Sequence, residues 1–178
     1  MMRADLPPAS FQTRVRVDDP SLENPFEWRS TTAQELCAGR RIVIFAVPAA
    51  FSPTCSDEHL PGFEALYDDI RAQGIDEVYC LSVNDAFVMF RWGQALGIEK
   101  VQMIPDGNAD FTRKMGMLVE YTADGMGLRS WRYAMVAKDG QIECLLSEPG
   151  FDDNASDAPM MMSDAGSMLS WLKYNSRV

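Results

Sequence analysis

The chain carries one histidine, His59, and four cysteines, Cys37, Cys55, Cys80 and Cys144, in 178 residues. No two of these cysteines form a Cys-x-x-Cys pair. A zinc site needs three or four ligands at compact spacing, so this inventory argues against a bound metal. There is also no block of lysine or arginine: 16 basic residues stand against 26 acidic ones, a formal charge of −10. Nucleic acid and anionic membrane both require a basic face, so neither is expected as a partner. No apolar run is long enough to cross a bilayer, and the opening Met1-Met2-Arg3-Ala4-Asp5-Leu6-Pro7-Pro8 lacks the apolar core of a signal peptide. A cytoplasmic location with free thiols is the expectation.

What is present is a chain that is 47% apolar, enough to bury the core of one domain. Residues 1–10 read as a mobile arm and 11–178 as a single domain. Alternation over 11–17 predicts a half-exposed strand, with Phe26-Glu27-Trp28-Arg29 returning beside it as a hairpin. Thr32-x-x-Glu35 is a capping-box pattern opening a short helix that Gly39 closes. Further strands are expected over 41–46, 77–82 and 101–104. Asn84-Asp85 should cap a helix with Phe87, Val88, Trp92 and Leu96 on its apolar side. The stretch 117–127 reads as irregular. Lys138-Asp139-Gly140-Gln141 is an Asp-Gly hairpin signal, and a last helix is expected over 164–174. Strand–helix units followed by a hairpin and a helix predict an α/β fold with a mixed central sheet flanked by helices.

The chemistry concentrates after the strand Arg41-Ile42-Val43-Ile44-Phe45-Ala46. The chain continues Val47-Pro48-Ala49-Ala50-Phe51-Ser52-Pro53-Thr54-Cys55, and apolar residues at Leu60, Phe63, Leu66, Tyr67 and Ile70 predict one helix over 53–73. Pro48 stops the strand. Ser52 suits the N-cap and Pro53 the first helical position. Cys55 therefore falls in the first turn, where unsatisfied N–H groups favour an anion, and the thiolate is the reactive form of cysteine. A structural cysteine after an ordinary turn fits the geometry equally well. Cys37, Cys80 and Cys144 read as structural positions in a helix or strand.

Pro48, Ser52 and Cys55 match a Pro-x-x-x-Ser/Thr-x-x-Cys pattern. With the continuation Ser56-x-x-His59-Leu60-Pro61-Gly62-Phe63, the run resembles the active-site motif of the peroxiredoxins, in the type-5 animal, type-II plant and related bacterial branch. Cys80-Leu81-Ser82-Val83-Asn84-Asp85-Ala86-Phe87-Val88 and Arg129-Ser130-Trp131-Arg132-Tyr133-Ala134-Met135 extend the resemblance over roughly residues 14–172. It implies a thioredoxin-like fold and a thiol peroxidase acting on hydrogen peroxide and small organic hydroperoxides, with no cofactor. In that role Cys55 is the peroxidatic nucleophile, Arg132 the cation beside it, Ser52 the hydroxyl that orients the peroxide and Pro48 a shield against water.

Bland readings stand beside each role. Ser52 can serve as a cap alone, Pro48 as a strand stop, and Arg132 can pair with a surface carboxylate. Arg129 is expected in an outward salt bridge. His59, one helical turn after Cys55, reads as structural. The type-5 animal enzymes carry a second cysteine in the loop before the last helix, and none occurs here between Phe151 and Met162. A one-Cys mechanism follows, with an external thiol as reductant: glutathione with glutaredoxin, or thioredoxin. A homodimer is also implied, with Pro53, Phe87 and Trp92 either at its contact or in the core. The competing reading is a thiol-based redox sensor or interaction protein oxidised at Cys55. A disulfide reductase is disfavoured by the missing Cys-x-x-Cys pair.

Overall fold

The computed structural model describes residues 4–17, 19–21, 23, 25–156 and 159–175. A two-residue strand, β1 (Ala4–Asp5), precedes β2 (Ser10–Arg16) and β3 (Phe26–Thr32), which pair antiparallel as the sequence predicts. Thr32 opens α1 (Ala33–Cys37) through a complete capping box. Its hydroxyl accepts from the Glu35 N–H, and the Glu35 carboxylate accepts from the Thr32 N–H. Gly39, at φ 65, turns the chain into β4 (Arg41–Val47).

Alternate residues of β4 enter different cores: Ile42, Ile44 and Ala46 on one face, Val43, Phe45 and Val47 on the other. A strand covered on both faces needs no polar alternation, which explains its unbroken apolar run. The helical region that follows is not the single helix predicted over 53–73. It runs through a π-turn at Cys55–His59, then α2 (Leu60–Ala65) and α3 (Tyr67–Arg71). Leu66, at φ −95 and ψ 9, interrupts it, although its N–H still reaches the Gly62 carbonyl.

Next come β5 (Glu77–Ser82), α4 (Ala86–Ala95), β6 (Gln102–Pro105) and α5 (Asp110–Lys114). Where an irregular stretch is predicted, β7 (Leu118–Tyr121) and β8 (Gly127–Ser130) form a hairpin. Four residues are the shortest stretch over which alternation marks a strand, so these two give little signal. β9 (Tyr133–Lys138) and β10 (Gln141–Ser147) meet at Asp139 and Gly140, both at positive φ, as a tight hairpin turn requires. α6 (Ala165–Asn175) comes last.

Among the described residues the main sheet has six strands in the order β1-β10-β9-β4-β5-β6, parallel across β4, β5 and β6 and antiparallel on the other side. Helix α4 buries Ala86, Met89, Trp92 and Gly93. Its predicted apolar side is therefore misplaced at Phe87, which is 59% exposed and meets the Trp28 ring edge-on at 5.5 Å. Asp85 alone makes the side-chain cap, accepting from Phe87 N–H and Val88 N–H.

The mobile arm expected over residues 1–10 needs correction from residue 4 onward; residues 1–3 lie outside the described residues. β1 pairs with β10, the Leu6 N–H donates to the Gly140 carbonyl, and Leu6 and Ala9 are buried in the core with Phe11. An isolated leucine between acidic and proline residues carries no periodic signal, so burial there has no trace in the pattern. Leu6→Ala should lower stability by roughly 2–3 kcal/mol, as for other buried leucines. Urea denaturation of the variant would check this, since a mobile arm would leave the midpoint unchanged.

Candidate active site

The loop between β4 and the π-turn is held at several points. Pro48 is buried at the end of β4. Phe51 takes a left-handed conformation, φ 64, so that 49–52 close as a tight turn, and its side chain is exposed. A non-glycine residue there is strained by about 1–2 kcal/mol, which the surrounding contacts must offset. One of them is the Ala50 N–H, which donates to Asn84 Oδ1 at 3.1 Å, just beyond β5. The Ser52 carbonyl accepts from Ser56 N–H at 3.0 Å, as an N-cap carbonyl does. The Ser52 hydroxyl departs from expectation: it donates backwards to the Ala49 carbonyl at 2.9 Å and caps no N–H. Its proton is thus engaged by the turn.

Cys55 is fully buried at the start of the π-turn. The wider turn, closed by Leu60 N–H to the Cys55 carbonyl, brings His59 into the same buried face as Cys55. Arg132, in the connection between β8 and β9, reaches both. Its Nη2–H points at Cys55 Sγ at 3.6 Å, and its Nη1–H donates to His59 Nδ1 at 3.0 Å. Arg132 is 2% exposed, its Nε–H has no hydrogen-bond partner, and among the described residues no carboxylate lies within ion-pair distance of it. The surface carboxylate considered from the sequence is not its partner. An N–H of a buried cation aimed at sulfur is a charge-assisted donor.

His59 is more than a packing residue. Its ring lies against Phe45, with centroids 5.0 Å apart, and its Nε2–H donates to the Ser163 carbonyl at 2.9 Å. Burial, then the neighbouring Arg132 cation, push it down to about 4, so it is neutral at physiological pH. Ser163 belongs to a segment organised by Glu148, which is 3% exposed. The Glu148 carboxylate accepts the N–H groups of Met161, Met162 and Ser163 and the Ser163 hydroxyl. Burial raises this carboxyl, but those hydrogen bonds outweigh it and hold it below the ordinary value.

The other cysteines are placed differently. Cys37 donates to carbonyls within α1 and burial raises its thiol. Cys80, beside Phe45 in the β4–β5 register, is raised well above the usual value by burial. Cys144 on β10 is raised to about 11, again by burial. No disulfide joins them. Among the described residues Arg129 makes no outward salt bridge; it donates to the carbonyls of Met126 and Val83. Trp92 is core and donates to Ser56 Oγ at 3.0 Å, whereas Pro53 and Phe87 are exposed. A groove of about 520 Å³ lined by Phe11, Tyr79, Met89 and Phe90 lies away from Cys55. The Asn84 link to Ala50, the role of Glu148 and the His59–Arg132 contact escaped the sequence reading. Each joins residues at least 13 apart by a link that no spacing rule encodes.

A mixed sheet with a buried thiol in a helical turn, faced by a guanidinium from a neighbouring strand end, defines the redox-thiol class of thioredoxin-like proteins. The Redoxin family matches residues 25–158. A peroxiredoxin of Synechocystis, sll1621, is 49% identical over 168 residues, 94% of this chain and 89% of the relative. Among solved structures, the antioxidant protein (1-Cys peroxiredoxin) of Plasmodium falciparum superposes with a TM-score of 0.90 at 29% identity, covering 98% of this chain and 100% of that one. Reduced Prx3 in complex with H2O2, from Vibrio vulnificus, gives 0.84 at 35% identity, covering 100% and 99%. The chain belongs to the peroxiredoxins of the Redoxin family.

The depressed His59 has a stability signature. Between pH 6.5 and about 4 the unfolded histidine binds a proton that the folded one does not, so stability falls with acidification across that window and this contribution is flat below it. Arg132, which opposes the proton, and Glu148 and Asp164, which favour it, face the ring. The full span is worth on the order of 3 kcal/mol. Urea unfolding at stepped pH should show this slope in the wild type and lose it in His59→Gln.

Proposed function

We propose that the protein is a one-Cys thiol peroxidase in which Cys55 reduces hydrogen peroxide and small alkyl hydroperoxides. The observation that carries this reading is the Arg132 guanidinium directed at Cys55 Sγ at 3.6 Å, with no carboxylate among the described residues within ion-pair distance of it. The Cys55 thiolate attacks the terminal peroxide oxygen. The S–O bond forms as the O–O bond breaks, sulfur loses two electrons, and the departing hydroxide or alkoxide takes up a proton to leave as water or alcohol. Cys55 becomes a sulfenic acid. Arg132 stabilises the negative charge as it moves from sulfur to the departing oxygen, and its unpartnered Nε–H is a donor that a bound oxygen would satisfy.

Ser52 orients the peroxide through its oxygen lone pairs, since its proton is held by Ala49. Pro48 covers the sulfur from the strand side. An external thiol then attacks the sulfenic sulfur, releasing water and forming a mixed disulfide, and a second thiol frees Cys55. Glutathione with glutaredoxin is the first choice of reductant and thioredoxin the second. Supporting the absence of an internal resolving thiol, Cys37, Cys80 and Cys144 are drawn into core or strand positions where the neutral thiol is favoured. Pro53 and Phe87, exposed near the site, suit the contact of a homodimer.

Stopped-flow fluorescence reads the first step through Trp92, which is bonded to the residue after Cys55. A Cys37/Cys80/Cys144→Ser triple variant should be oxidised as fast as the wild type, and Cys55→Ser should show no phase. A disulfide that forms in the wild type but not in the triple variant would replace the one-Cys mechanism with an internal resolving step. A wild type no faster than a free thiol would favour the sensor reading. Arg132→Lys, which keeps the charge but loses the planar fork, should slow the reaction about 10²-fold, measured as the second-order rate constant for hydrogen peroxide.

A further inference from the structure

We propose that His59 is a positioning residue for Arg132, its Nδ1 lone pair fixing the guanidinium fork against Cys55. The proposal rests on the peroxidase reading above and adds a residue to it. The two contacts of Arg132, to His59 Nδ1 at 3.0 Å and Cys55 Sγ at 3.6 Å, come from the two terminal amino groups of one rigid plane. Fixing one group therefore fixes the direction of the other.

The imidazole is itself fixed. It is 1% exposed, its ring lies against Phe45 and Phe63, and Nε2 faces the Ser163 carbonyl at 2.9 Å. A carbonyl can only accept, so Nε2 carries the proton and Nδ1 presents a lone pair. A guanidinium can only donate, so both neighbours select the same tautomer. Ser163 is clamped in turn by Glu148, through its N–H at 2.8 Å and its hydroxyl at 2.7 Å. Four contacts thus run in line from Glu148 through Ser163, His59 and Arg132 to the sulfur.

The choice of acceptor matters. A carboxylate at this position would hold the guanidinium equally well but would neutralise it, and the sulfur would then face an ion pair. A neutral imidazole holds the fork and leaves its charge for the thiolate and for the charge that develops on peroxide oxygen.

The test separates the two sides of the ring. Asn places Oδ1 the same number of bonds from Cα as His Nδ1 and keeps an acceptor for Arg132. Gln reaches toward Ser163 and offers no such acceptor. Leu fills similar space and offers nothing polar. Oxidation of Cys55 by hydrogen peroxide should slow about 10- to 100-fold in His59→Gln and His59→Leu, and His59→Asn should recover to within about threefold of wild type. Circular dichroism and thermal melts confirm folding. If the leucine variant does not fold, the Asn–Gln pair, each member keeping one polar contact, decides the matter. Alkylation of Cys55 by iodoacetamide at pH 6, followed by peptide mass spectrometry, requires no peroxide and should follow the same order. Wild-type oxidation no faster than that of a free thiol would sink the peroxidase reading, while the alkylation order would still support or overturn the role of His59. Folded Gln and Leu variants that react like wild type, or an Asn variant as slow as Leu, would overturn it.

Discussion

A buried guanidinium with no carboxylate partner among the described residues is the constraint around which this molecule is arranged. Removing a cation from water costs several kcal/mol unless hydrogen bonds and an opposite charge compensate. Arg132 has one neutral acceptor in His59 and one ionisable neighbour in Cys55. The fold's stability and the direction of the guanidinium toward Cys55 therefore draw on the same pair of contacts.

Three parts of the fold converge to make that contact. β4 carries the chain to Pro48, and the strained turn at Phe51 starts the helical region so that Cys55 faces inward. The π-turn sets His59 on the same face. The end of β8 delivers Arg132 from a residue 77 positions further along the chain. Phe45, stacked on Phe63 with centroids 3.9 Å apart, forms the floor on which the imidazole stands.

Local signals were legible and distant ones were not. The strand over 41–47, the Thr32 capping box, the Asp139-Gly140 hairpin and the thiol after Pro48 each depend on residues within a few positions of one another, where spacing and propensity speak directly. The π-turn was hidden because the apolar spacing of an ordinary helix survives a single wide turn. The direction of the Ser52 hydroxyl depends on a neighbouring carbonyl that sequence does not orient. His59 read as structural because its partner, Arg132, lies 73 residues away. Leu6 was assigned to a mobile arm because one buried side chain creates no period.

The Glu148 carboxylate also acts on the topology of the chain. By gripping Met161, Met162 and Ser163 it closes the excursion from 148 to 163 with a non-covalent clasp at its two ends. Closure entropy grows slowly with loop length, about 0.6 kcal/mol for each doubling. Within the excursion, Asp153 Oδ1 accepts from Glu120 N–H, Asn154 Oδ1 accepts from Ala123 N–H, and the Phe151 ring meets Trp131 edge-on at 5.6 Å, so the loop is also pinned to β7 and to the residue before Arg132. The clasp and these pins together make the loop a tether, one end of which holds the carbonyl that anchors His59.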